Sequence, residues 1–194
     1  MIELTGKIVS VHSGSNDDLS KEAHASIDVQ LDGIVGDRHR SYIRETWPGD
    51  KQPLGTTRRN ERQWSAVSVE ELLDIQQRMG LEGTMTAGSL GANLCIKGIA
   101  ELSRLPKGTI LTFPSGCTLM VEEYNPPCKH ISEIQAKVHT TISGTPLSPT
   151  AFSIASKLSR GVVGVVEAAG VINAGDDVVV TIYETPSWLI RTAD

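Results

Sequence analysis

The chain has 194 residues, with 18 Lys and Arg against 23 Asp and Glu, a formal charge of −5 at neutral pH. An acidic chain with 39% apolar residues has enough for a core but lacks the basic excess that binding a nucleic-acid polyanion calls for. The longest apolar stretch, GVVGVVEAAGVI, is broken by Glu167 and falls short of the roughly 20 residues of a membrane span; Glu3 and Lys7 interrupt any secretory signal, so a cytoplasmic location is expected.

Residues 2–11 read as a strand in which Ile8 and Val9 break strict alternation, as a bulge or a doubly buried stretch does. A polar loop follows to His24. Residues 26–31 then alternate Ile27, Val29 and Leu31 with Asp28, Gln30 and Asp32, the pattern of a half-buried strand. It runs into a turn at Gly33 and Gly36 that delivers Asp37, Arg38 and His39 together. Residues 40–62 keep no period of 2 or 3.6 and read as a long ordered loop.

AVSV is a short strand ending at Ser68, and Ser68 with Glu71 forms the capping-box pair that opens a helix to Met79. Leu72, Ile75 and Met79 share its apolar stripe, and Gly80 stops it. GANLCIKGI is a further strand, and TILTFP with CTLMVEEY makes a hairpin across Pro114-Ser115-Gly116. A short helix is expected over 131–138 and another from Pro149 through Leu158. VVGVVEAAG and DDVVVTIY are the last strands, separated by a turn at Asn173-Ala174-Gly175.

About eight strands with scattered helices and no strand-helix repeat predict a mainly β fold, an antiparallel β-barrel closed or nearly closed, with interspersed helices. A single domain is expected over 1–194, with its core at about 3–182 and a tail at 183–194 whose Trp188, Leu189 and Ile190 are apolar enough to pack.

The net charge hides an asymmetry. Between Arg38 and Arg62 seven basic side chains face three acidic ones, a local charge of +4, and all but Lys51 of the seven are Arg. Arg suits two-point contact with phosphate or carboxylate, so an anionic small ligand is one reading; a solvated loop is the other.

Three cysteines are too few for a disulfide framework and fit a reducing compartment. Cys95 and Cys117 lie in strand-like apolar contexts and read as small buried hydrophobes. Cys128 follows Pro126-Pro127 and precedes Lys129 and His130, whose positive character favours the thiolate that attacks sulfur or binds a metal. Taken alone, a reactive and an inert thiol remain equally open there. No Gly-x-Ser-x-Gly elbow, P-loop or Gly-x-Gly-x-x-Gly occurs, and the spacing of Cys128 and His130 is outside the usual zinc patterns.

An ordered set of short pieces resembles the MOSC domain, named for the C-terminus of molybdenum cofactor sulfurases. The pieces are Gly33 through His39; Arg62 through Ser68 leading into a capped helix; Leu90-Gly91-Ala92-Asn93-Leu94; Leu105 through Thr109; Pro127-Cys128; and Arg160-Gly161-Val162 through Gly175-Asp176. The resemblance covers about residues 3–182, and the chain looks like a stand-alone MOSC protein, without the pyridoxal-phosphate desulfurase domain of the sulfurases.

The resemblance implies a β-barrel, binding of the molybdenum cofactor (molybdopterin), and a cysteine that carries sulfur as a persulfide or ligates molybdenum. Cys128 matches that cysteine. Asp37, Arg38 and His39 match the Gly-Asp-Arg-His element, and Arg62 and Asn93 match positions that line the site. Arg38, Arg62 and Arg160 are expected to hold the anionic pterin, with Lys129 and His130 beside Cys128. A sulfur carrier needs a separate cysteine desulfurase; a molybdenum-dependent reductase of N-hydroxylated compounds needs a redox partner, since no Cys-x4-Cys-x2-Cys run is present. A non-catalytic cofactor carrier or anion-binding module is the third reading. The family's usual Gly-Glu-Asn-Leu is Gly91-Ala92-Asn93-Leu94 here, so Ala92 receives no acid-base role.

Overall fold

The computed structural model describes residues 1–183, so the expected packing of Trp188, Leu189 and Ile190 lies outside the described residues. In chain order the strands are β1 (Ile2–Ser13), β2 (Glu22–His24), β3 (Ser26–Gln30), β4 (Gly33–Ile34), β5 (Ile43–Glu45), β6 (Thr57–Arg59) and β7 (Trp64–Ser68). Helix α1 (Val69–Met79) leads to β8 (Leu94–Lys97), β9 (Ile110–Thr112) and β10 (Thr118–Tyr124). Then come α2 (Lys129–Val138), α3 (Ala151–Ala155), β11 (Val162–Ala168), β12 (Gly170–Asn173) and β13 (Asp177–Ile182).

Among the described residues, seven strands close a mixed barrel in the order β13-β9-β10-β11-β7-β8-β1, with β1 pairing back onto β13 from Ile2↔Ile182 to Lys7↔Asp177. Every neighbouring pair in it is antiparallel except β7 with β8. That exception follows from α1, because a parallel pair needs a crossover connection and the capped helix supplies it. The cap is as expected: the Glu71 N–H donates to Ser68 Oγ at 3.0 Å, and Gly80 ends the helix in the left-handed region at φ 61°. The expected bulge in β1 is present, with the register against β8 shifting between Ile8 and Ser10.

Inward positions of the barrel are aliphatic around one indole. Trp64 is fully buried and donates its Nε1–H to the Val165 carbonyl at 2.9 Å. It fits because residue 164 is glycine: a Cβ there would lie 1.9 Å from the Met120 carbonyl oxygen and 2.6 Å from the indole ring. A second apolar cluster packs Leu72, Ile75 and Met79 of α1 against Leu90, Ile131 and Phe152, bringing α2 and α3 to the same side of the barrel. Among the described residues no helix is long and apolar enough to cross a membrane.

Five details differ from the sequence-based expectations. Residues 40–62 are not a loop throughout but carry the β5–β6 hairpin, paired Ile43↔Arg59 to Glu45↔Thr57. Its strands are three residues long and held by ion pairs, so no hydrophobic period marks them. The stretch after β11 turns into a separate strand, β12, which leaves the barrel and pairs with β3, so Ile172 joins Ile27, Val29 and Ile34 in the core. Glu22–His24 form β2 inside the polar segment, and Leu31, expected in the half-buried stripe, is exposed beyond the end of β3. Helix α3 is shorter than Pro149–Leu158. Tyr124 Oη accepts the Leu158 N–H at 2.9 Å and donates to the Ser156 carbonyl at 3.2 Å, holding Leu158 at φ 63° where a helix cannot continue.

Candidate functional site

The glycine turn after β3 does what its composition predicts. Gly33 and Gly36 adopt positive φ, and a Cβ on Gly33 would meet the Gln63 carbonyl oxygen at 3.1 Å. The turn drives Asp37 inward. Its Oδ2 faces Lys21 Nζ at 2.6 Å and accepts the Asn93 side-chain N–H at 2.8 Å; Oδ1 accepts the His39 backbone N–H at 3.0 Å and lies 3.3 Å from His39 Nδ1.

Burial by itself would raise the Asp37 carboxyl. The hydrogen bonds from His39 and the charge of Lys21 outweigh it and hold the group well below the usual carboxylate range. The Lys21 ammonium is pulled below its ordinary value by burial, with Asp37 opposing the shift. Burial also lowers His39, again against Asp37, so His39 is a neutral imidazole at neutral pH. Its proton then belongs on Nδ1, facing the carboxylate, which leaves Nε2 as an acceptor.

Asn93 carries this network to the barrel wall. Its Nδ2 donates to the His12 carbonyl at 3.1 Å, and its Oδ1 accepts the Ser65 backbone N–H at 3.0 Å. Asp37 and Asn93 therefore serve as buried girders behind the site, while Arg38 and His39 line it.

The site is a cavity of about 790 Å³. The turns at Arg38–His39, Trp47–Asp50 and Leu90–Gly91 line it, with Arg62, the segment Asn125–Cys128, Ile131 and Arg160. Arg160 is buried to 7% exposure, donates Nη2–H to the Leu90 carbonyl at 2.6 Å, and has no hydrogen-bond partner for Nε or Nη1 among the described residues. Burial pushes its guanidinium down to about 10, which keeps it charged at neutral pH. A buried cation with two unanswered donors on a cavity wall has the donor chemistry that suits an anion.

Arg160 is fixed by residues that the sequence reading did not assign to the site. A Cβ on Gly161 would sit 1.9 Å from the Ala66 carbonyl oxygen, so only glycine lets the chain run this close to β7. The Gly161 N–H donates to Ser103 Oγ at 2.6 Å, and Ser103 donates its hydroxyl proton to Glu71 at 2.9 Å. The capping-box pattern marked Glu71 only as a helix start; nothing in the sequence marked Ser103.

Cys128 is exposed at the cavity rim as the N-cap of α2, with extended backbone after the two prolines, and its Sγ accepts the Ile131 N–H at 3.4 Å. The sulfur thus meets the partially positive end of the helix. Lys129 and His130 are exposed and outside the cavity lining, and Lys129 faces Glu133 at 3.6 Å. The arginines that line the cavity with Cys128 are Arg38, Arg62 and Arg160. Cys95 and Cys117 are buried, and burial pushes their thiols up to about 11 and about 12.

Much of the positive charge between Arg38 and Arg62 is answered within the protein. Arg40 pairs with Asp32 at 2.9 Å, Arg44 with Asp50 at 2.7 Å and with Glu61, Arg58 with Asp50, and Arg59 with Glu122. Two of these partners, Asp32 and Glu122, lie outside that window in sequence. Arg62 donates to Asn125 Oδ1 at 2.6 Å and to Glu123 at 3.3 Å, and Arg38 donates to the Asn16 carbonyl at 2.9 Å. Arg44 stacks 4.5 Å above the Trp47 ring, which lines the cavity, and Arg62 lies 5.7 Å from the same ring. Among the described residues no cluster of three or more His, Cys, Asp or Glu could hold a metal by itself.

The sequence model of the MOSC domain matches residues 34–179, which contain both Asp37 and Arg160. The chain belongs to the MOSC family. It is 32% identical over 161 residues to YuaD of Bacillus subtilis (strain 168), for which a role in metal-sulfur cluster biosynthesis is proposed, with 81% of each chain covered. The crystal structure of the Bacillus subtilis YuaD protein superposes with a TM-score of 0.86 at 29% identity, covering 94% of this chain and 99% of that one. YiiM from Geobacillus stearothermophilus shares the fold at a TM-score of 0.59 and 16% identity, over 91% of this chain and 75% of that one.

Proposed function

We propose that this MOSC protein binds the molybdenum cofactor in the cavity and that Cys128 carries sulfur as a persulfide. The observation that supports this most directly is Arg160, whose buried Nε and Nη1 have no partner among the described residues and which shares a cavity with the exposed Cys128 thiol. A pterin phosphate suits such donors, and the volume of about 790 Å³ is within the range of small-molecule sites. Arg160 would hold the phosphate, with Arg38 and Arg62 adding positive potential and Trp47 offering a flat apolar wall. When bound, the cofactor supplies molybdenum on a dithiolene, a centre able to take a sulfur ligand or exchange electrons.

The protein's own part is to hold the anion, to keep a thiol at the rim where a donor can reach it, and to present His39 as a neutral acceptor. Cys128 Sγ is the atom that takes up and passes on sulfur. Its exposure leaves room for a second protein, and a cysteine desulfurase, itself cytoplasmic and thiol-dependent, is the partner class this role calls for.

The test is the molybdenum and pterin content of protein purified from a cofactor-making host, beside Cys128→Ala and Arg160→Met. Wild type is expected to carry both, and Arg160→Met to lose both. Metal retained by Cys128→Ala together with a persulfide mass on wild-type Cys128 supports the carrier role. Metal lost from Cys128→Ala alone makes Cys128 a molybdenum ligand instead and favours the reductase reading. Neither metal nor pterin in wild type overturns cofactor binding.

A further inference from the structure

A sulfur carrier has to be loaded, and the cavity holds the two groups that loading from a small anion requires. One is the Arg160 guanidinium, more than nine-tenths buried, with Nε and Nη1 unpartnered. Donors in that state are best satisfied by an oxoanion, whose several oxygens answer several N–H groups from one small head. The other is the Cys128 thiol, which lines the same cavity. An oxoanion seated on Arg160 would therefore occupy the cavity that the Cys128 sulfur lines.

We propose that the site accepts sulfur directly from thiosulfate-class anions, in which a terminal sulfur is bonded to an oxoanion sulfur. This rests on Cys128 as the sulfur carrier and adds a second route of loading to a desulfurase. The step balances without an added oxidant. A lone pair of the Cys128 thiolate forms a bond to the terminal sulfur. The bond between that sulfur and the sulfonate sulfur breaks, and its electron pair leaves on sulfite. Cys128 becomes a persulfide anion, and no net proton is taken up or released. Arg160 binds the sulfonate oxygens, where negative charge accumulates as sulfite departs, so it stabilises the transition state as well as the bound donor. Sulfate and phosphate share the oxoanion head but have no sulfur to transfer, which makes them competitors.

The experiment incubates the full reduced chain with thiosulfate and follows sulfite release and the mass of the Cys128 peptide. Wild type should gain one sulfur atom on Cys128 and release sulfite in equal amount, with sulfate slowing the reaction. Arg160→Gln should lower the rate by about tenfold or more, after each rate is divided by that variant's rate with neutral iodoacetamide. Arg160→Lys, which keeps the charge, guards against a folding artefact and should fall between the two. Inorganic tetrasulfide separates the two ideas. If tetrasulfide loads Cys128 and thiosulfate does not, the carrier role stands and the thiosulfate route fails; if neither loads it, both fail. Equal normalised thiosulfate rates in wild type and Arg160→Gln, or indifference to sulfate, would also overturn the proposal.

Discussion

Asp37 and Asn93, 56 residues apart in the chain, meet at 2.8 Å, and through that one bond the glycine turn after β3 is fastened to the start of β8. Lys21 closes the network from a third segment at 2.6 Å, with both side chains of the ion pair withdrawn from water. Removing one member of such a pair leaves a buried charge unanswered, which is more costly than the pair is stabilising.

Asp37→Asn is therefore expected to lose about 3 kcal/mol at neutral pH. The pH dependence follows from the depressed Asp37 carboxyl. A carboxyl held below its unfolded value contributes fully above that value, near pH ~4, and loses the contribution as pH falls toward the folded one. Urea titrations at neutral pH and near pH ~3 should show the gap between wild type and variant shrinking in acid. An equal gap at both would mean that the carboxylate charge is not what matters.

Thiol accessibility should separate the cysteines sharply. Cys128 is exposed, whereas Cys95 and Cys117 are buried with thiols pushed up to about 11 and about 12. Native protein treated with iodoacetamide should gain a single adduct, on Cys128, with the other two modified only after denaturation. Cys128→Ser should abolish the native adduct yet keep the fold, because serine is a good helix N-cap.

Gly161 and Gly116 both have positive φ, 93° and 86°, but differ in surroundings. A Cβ at 161 would meet the Ala66 carbonyl oxygen at 1.9 Å, while nothing lies within 4 Å of one at 116. Gly116→Ala should cost about 1 kcal/mol of backbone strain, and Gly161→Ala clearly more. Thermal denaturation of the two variants compares them, and similar losses would argue against the tight approach of residue 161 to β7.

Arg44, stacked on the Trp47 ring, ties Asp50 and Glu61 together, with all three charged side chains largely buried. Arg44→Ala should release the β5–β6 hairpin while the barrel stays intact. Limited proteolysis should then cut within residues 45–57 faster in the variant, with little change in the global unfolding midpoint. A large drop in that midpoint would show instead that the hairpin is part of the main cooperative unit.

Local chemistry made several features legible. The capping box at Ser68, the left-handed stop at Gly80, the turn at Gly33 and Gly36, and the apolar settings of Cys95 and Cys117 each depend on residues within a few positions of one another. The same holds for Cys128, whose two prolines mark a segment that cannot continue a ladder. The β5–β6 hairpin was not legible, because its strands are fixed by side-chain charge pairs that leave no period in the sequence. Strand β12 was hidden because residues 162–172 are apolar or glycine except for Glu167, and its pairing with β3, where a Cβ on Gly170 would lie 2.9 Å from Cys117, shows where the chain leaves the barrel.

Pattern and local chemistry along the chain were enough for a β-rich barrel of the MOSC type, for singling out Cys128 from the other two thiols and for an excess of arginine between residues 38 and 62. Which arginines are neutralised and which keep unanswered donors depends on the tertiary structure. Arg40, Arg44, Arg58 and Arg59 are neutralised by carboxylates, two of which, Asp32 and Glu122, lie outside that window, whereas Arg160 is buried with two N–H groups unanswered. Composition counts charges, but a charge acts on a ligand only where folding has taken away both water and its protein partners, and that depends on contacts between residues far apart in the chain.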